Sequence, residues 1–129
     1  MEHTADWAIR VRGRGLRHLL LSAAWGMNSL LVADLNAVPL SEERHLVLQA
    51  FDRESMLVEW LSELAYLVES ESLIFREFDL ETVTESELQA TVRGGPAPEL
   101  QKHIKAVTYH DLEVVETAAG LEATVVFDV

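Results

Sequence analysis

At 129 residues the chain has room for one hydrophobic core and not for two. With 49% apolar and 25% charged residues it has a globular balance that excludes a disordered chain. No cysteine is present, which excludes disulfides, thiol catalysis and cysteine–zinc sites, and a formal charge of −12, from 22 acids against 10 bases, opposes direct, tight binding to RNA or DNA.

That charge favours a basic protein partner or a bound cation instead. No apolar run approaches the ~20 residues of a membrane span. The start MEHTAD has neither the basic nor the apolar region of a secretory signal, so the expected setting is cytoplasmic. A single domain over residues 1–129 is expected.

In chain order, Thr4 to Val11 reads as a strand ending in the turn Gly13-Arg14-Gly15. Leu16, Leu19, Leu20, Ala23, Met27, Leu30 and Leu31 then follow at helical intervals, and Gly26 in that run predicts a close neighbour. The four arginines from Arg10 to Arg17 fall on this strand end, turn and helix start. A loop with Asp34, Asn36 and Pro39 leads to a strand from Arg44 to Phe51. Asp52 is placed to cap a second helix, with Glu54 in its first turn and Leu57, Trp60, Leu61, Leu64 and Leu67 on one face. FREFDLETV alternates as a half-buried strand whose glutamates and aspartate form a solvated edge, and ELQATVRGG is its hairpin partner. KHIKAVTYHDLEVVE and LEATVVFDV predict two long strands about the turn Ala119-Gly120. No internal repeat is visible. The expected class is α+β, with two amphipathic helices on one side of a mixed or antiparallel sheet of about six strands and solvent on the other.

Few residue patterns carry chemistry. There is no phosphate-binding glycine loop, no nucleophile-elbow serine and no helical histidine pair with metal-ligand spacing among His3, His18, His45, His103 and His110. Carboxylates remain. Asp6 heads the first strand, Asp128 lies on the last, and Val129 adds an α-carboxylate beside it. Hard cations take several oxygens, so these three groups would make a site if the two strands ran side by side. Spacing alone does not establish that pairing, and solvated chain-end acids are the simpler reading of the residues by themselves. His110, on a strand face shared with Leu112 and Val114, reads as half-buried, and Lys105 as a snorkelling surface lysine.

EHTADWAIR, LLVADL, MLVEWLSELAYLVES, KAVTYHDLEV and VVFDV, in that order over essentially the whole chain, resemble the archease family. The resemblance implies a small α+β protein that is not an enzyme. It implies an activator of the RNA ligase RtcB, which joins RNA ends in tRNA splicing or RNA repair using GTP and manganese. Archeases promote guanylylation of that ligase and restore it for further turnovers. The family is also described as chaperone-like towards other RNA-modifying enzymes, including a tRNA methyltransferase. The resemblance further implies a divalent-cation site, usually calcium with manganese or magnesium as alternatives, at Asp6, Asp128 and Val129. Asp34 is a further acid for that pocket, although Ala33 stands where the family more often has threonine. Lys105 and His110 match the family motif without an implied role, and Trp7 replaces a smaller aliphatic residue. A metal-dependent hydrolase using Asp6 and Asp128 is the competing reading, for which no nucleophile or general base can be named.

Overall fold

The computed structural model describes residues 6–129, the Asp6 side chain excepted. Thr4 and Ala5, the expected start of the first strand, lie outside the described residues, as does His3. Strand β1 (Asp6–Gly13) enters helix α1 (Leu16–Leu31) through the predicted glycine turn. After a 3-10 turn (Leu35–Ala37) come β2 (Glu42–Gln49), helix α2 (Arg53–Glu71), β3 (Leu73–Val83) and β4 (Glu87–Pro96). The chain closes with β5 (Ala106–Thr108), β6 (Val115–Thr117) and β7 (Gly120–Asp128).

The helices begin differently. Asp52 accepts from the Ser55 N–H at 2.8 Å while Ser55 Oγ accepts from the Asp52 N–H at 3.1 Å, so α2 starts on a complete capping box. Helix α1 starts at Gly15 with no side-chain cap and no acid in its first turn. Its Gly26 lies where a β-carbon would come within 3.3 Å of Ile9 Cδ1, the close neighbour the sequence implied.

The α+β class stands, but the strands divide into two antiparallel sheets rather than one. One sheet has the order β1-β7-β5, with β6 also pairing β7; the other has the order β2-β4-β3. The same wiring occurs in both: a strand enters a helix, and the last strand of the unit returns between its two partners. The β2-α2-β3-β4 unit is nested inside the other. The repetition is of topology, not of residues, which is why the sequence hides it. Each sheet has one face on the helices and one towards solvent. Helix α1 packs on β1 and β3, and α2 on β2, β3 and β5, so each helix serves both sheets. That accounts for the wide buried band of α2, which includes Met56, Leu57, Val58, Trp60, Leu61, Leu64, Leu67 and Val68. Trp60 is fully buried, meets the Phe78 ring edge-on at 5.8 Å, and donates its Nε1–H to the Leu20 carbonyl at 2.9 Å.

The expected long strand KHIKAVTYHDLEVVE is broken. Only Ala106–Thr108 and Val115–Thr117 pair with β7. Between them the Leu112 N–H donates to the Tyr109 carbonyl at 3.0 Å and Asp111 takes a left-handed φ of 50°. The loop is pinned from α2. Glu54 Oε2 accepts from the Val114 N–H at 2.7 Å, and Arg53 lies 3.3 Å from Glu116.

Candidate functional site

The register of β1 against β7 runs unbroken from Gly13 opposite Leu121 to Asp6 opposite Asp128. Asp6 and Asp128 are therefore neighbours across one antiparallel ladder. Asp128 is flanked on its other side by Ala106 of β5, and its carbonyl accepts from the Lys105 N–H at 2.7 Å. The side chains of β7 alternate: Ala123, Val125 and Phe127 are buried in the core, so Asp128 belongs to the opposite face, where it is half-buried. Val129 is half-buried and packs against the core.

Asp34 comes to the same end of the molecule. β1 covers about 26 Å and α1 about 24 Å in the return direction, so the loop after α1 lies level with the start of β1. The Asp34 side chain accepts from the Asn36 N–H at 3.1 Å and caps the 3-10 turn. It lines a cleft of about 660 Å³ whose other wall is Pro98–Gln101. That wall is held by the Gln101 N–H, which donates to the last residue of α1, Leu31, at 2.8 Å.

Lys105 joins the site through its backbone; the residue is exposed and lines a groove of about 360 Å³ with Ser62, Tyr66 and Glu69 of α2. His110 does not join it. Thr108, opposite Val126, is already about 7 Å along β7 from Asp128, and His110 follows in the turn. His110 is exposed rather than half-buried, and its Nε2 lies 3.3 Å from Asp111 Oδ2, both side chains standing largely in water. The face it was expected to share with Leu112 and Val114 does not exist, because the turn breaks the alternation.

Two features escaped the sequence reading. Lys102 Nζ stands 4.9 Å over the Trp7 ring, next to Asp6, so the larger aromatic gives this end a cation–π contact. Tyr109 lies against the acidic side of α2; burial first, then Glu59 and Asp52, hold its phenol above the ordinary tyrosine range. Neither has a signal in local spacing. Among the described residues no three histidines, aspartates or glutamates gather as metal ligands; the Asp6 side chain is not among those described.

The whole chain, residues 1–129, matches the family model described as Archease protein family (MTH1598/TM1083). It is 35% identical to a protein archease of Methanosarcina mazei over 137 residues, covering 100% of this chain and 93% of that protein. A protein archease of Saccharolobus islandicus is 35% identical over 133 residues, covering 99% and 95%. Among solved structures, the solution structure of Methanobacterium thermoautotrophicum protein 1598 superposes with a TM-score of 0.77 at 26% identity, covering 100% and 96%. The crystal structure of a Thermotoga maritima archease, described as a possible chaperone, gives a TM-score of 0.67 at 25% identity, covering 100% and 94%. With its full length matched by the family model and its fold shared with solved relatives, this protein is a member of the archease family.

Proposed function

We propose that this chain is a non-enzymatic activator of the RNA ligase RtcB, promoting its guanylylation and repeated turnover, and that a divalent cation, calcium above all, is held at its joined ends. Family membership supports the partner, and the observation that carries the site is the pairing of Asp6 with Asp128 across the ladder. Directly opposed positions in an antiparallel pair hold their β-carbons about 4.5–5.5 Å apart, within reach of one hard cation for two carboxylates. Val129 would add its main-chain oxygen or α-carboxylate, and Asp34 stands at the same end. This all-oxygen donor set fits calcium, magnesium or manganese and lacks the soft ligands that would favour zinc or copper. Bound there, a divalent cation would supply positive charge at an otherwise acidic end, for presentation to a partner's own metal centre. The chain's own part is to hold the acids in register. The Lys105–Asp128 backbone bond fixes one side of Asp128, and the full β1–β7 ladder fixes the other. The excess of acids predicts association with a basic cleft that weakens as salt rises.

The test is ligation by the cognate ligase at limiting enzyme, with wild type and with Asp6→Ala and Asp128→Ala. Wild type should restore multiple turnovers, while both folded variants fail. Activation by the variants equal to wild type would remove the chain-end site from the mechanism. No effect of wild type would remove the ligase.

A further inference from the structure

Half of an edge strand's N–H and C=O groups point away from its neighbour and remain open to an added strand. The edges of this protein are not alike. β3 is bulged at two places, and Asn28 and Arg17 of α1 occupy the carbonyls of Phe75 and Leu80. β5 and β6 are three residues each, interrupted by a turn. From β2, Arg44 reaches 2.9 Å to Glu71 at the end of α2. β1, like β2, is eight residues long and unbulged, and among the described residues it pairs only with β7.

A groove of about 580 Å³ runs along it, lined by Ile9, Arg10, Val11 and Arg12 of the strand and by Ser22 and Gly26 of α1. No β7 residue lines it, so it opens on the unpaired side of β1. Gly26, without a side chain, keeps the helix wall low opposite Ile9. Trp25 beside it is 39% exposed on the same helix. Walls formed by a strand edge and a helix suit an extended segment that adds to the sheet.

The charge selects the occupant. Of the chain's 10 bases, Arg10, Arg12, Arg14 and Arg17 fall in this one stretch. Arg12 is 72% exposed at 3.6 Å from Glu122, and Arg10 has no ion-pair partner among the described residues. We propose that the β1 edge and α1 form a docking groove for an extended acidic segment of a partner protein, which adds to the sheet beside β1. A second copy is disfavoured, because two β1 edges would set arginines against arginines. RNA is disfavoured by the overall charge of −12. The groove stands on β1 and α1 alone and neither requires nor excludes a cation at the chain ends.

The probe is an acetylated heptapeptide alternating glutamate with valine, compared with its lysine counterpart. Binding is read by fluorescence anisotropy, and its location by amide hydrogen exchange of the full chain. The acidic peptide should bind saturably, slow exchange along β1 only, and bind at least about tenfold more tightly than the lysine peptide, a difference of ~1.4 kcal/mol. The double variant R10E/R12E should reverse that preference. Ser22→Trp, which fills the groove from the helix without altering β1, should abolish binding of both peptides. Should Ser22→Trp not fold, the charge-reversal variant decides alone. Absence of saturable binding, equal binding of the two peptides, protection at another edge, or concentration-dependent protection of β1 without peptide (a second copy as occupant) would each overturn the proposal.

Discussion

Asp128→Asn offers a test of the chain-end site that does not depend on any partner. Asp6 and Asp128 are direct opposites on the ladder, and like charges in that position destabilise a sheet by roughly 0.2–1 kcal/mol. A Coulomb estimate agrees: two unit charges about 6 Å apart in a water-like dielectric repel by about 0.7 kcal/mol. Removing one charge should therefore stabilise the cation-free protein. For 129 residues the unfolding entropy is about 0.27 kcal/mol/K, so the gain is a Tm rise of about 2–3 °C in chelator. Calcium at a hundred times its Kd would stabilise wild type by about 2.7 kcal/mol, a rise of about 10 °C, and the variant by far less. The order of the two proteins should cross between chelator and calcium, read by calorimetry or thermal circular dichroism. A variant that melts below wild type in chelator, with calcium raising both equally, would show that Asp128 faces neither Asp6 nor a cation.

Five further outcomes follow from packing and charge. Asn28→Ala leaves the buried carbonyl of Phe75 without its 2.8 Å donor, and should cost about 1–3 kcal/mol in denaturant unfolding. Gly26→Ala should stabilise by about 0.5–1 kcal/mol through helix propensity, since only the mobile Ile9 Cδ1 must move from 3.3 Å. Gly94→Ala, whose β-carbon would fall 1.9 Å from the Ile74 carbonyl oxygen, should by contrast cost about 3 kcal/mol or more. Asp52→Ala removes the side-chain half of the α2 capping box and should lower stability by about 1 kcal/mol, with Asp52→Asn largely restoring it. Tyr109, followed by phenolate absorbance in Tyr66→Phe, should titrate above the ordinary value near 10, and Glu59→Gln should bring it partway back. Its folded form holds the proton to higher pH than the unfolded form does. Between the ordinary and the raised value the unfolded chain thus binds fewer protons, and stability falls as pH rises through that window.

The two helices were legible in the residues because their signals are local: apolar spacing from Leu16 to Leu31, and a capping aspartate directly before Arg53. β1, β2, β3, β4 and β7 were legible for the same reason, through alternation and the turns that bound them, although β2 runs from Glu42 to Gln49 rather than from Arg44 to Phe51. The acids near the two termini could be named from the residues, but it was a family resemblance that set a cation site above the simpler reading of solvated acids. The residues themselves offered only carboxylates at two distant positions.

What spacing could not carry is everything set by contacts far apart in the chain. The turn at Tyr109–Leu112 interrupts a stretch that alternates well enough for a strand, and Arg53 and Glu54, some sixty residues earlier, hold the loop after it. The division into two sheets depends on which strand returns between which partners, a choice that alternation within one strand leaves open. The same holds for the ends. Amino-acid sequence alone determined that Asp6 and Asp128 lie on strands. Only the tertiary register, running from Gly13–Leu121 to the last pair of the ladder, set them opposite each other. Side-chain patterns specify which face a strand buries, whereas the partner and the offset are settled by closing the core around all the strands at once.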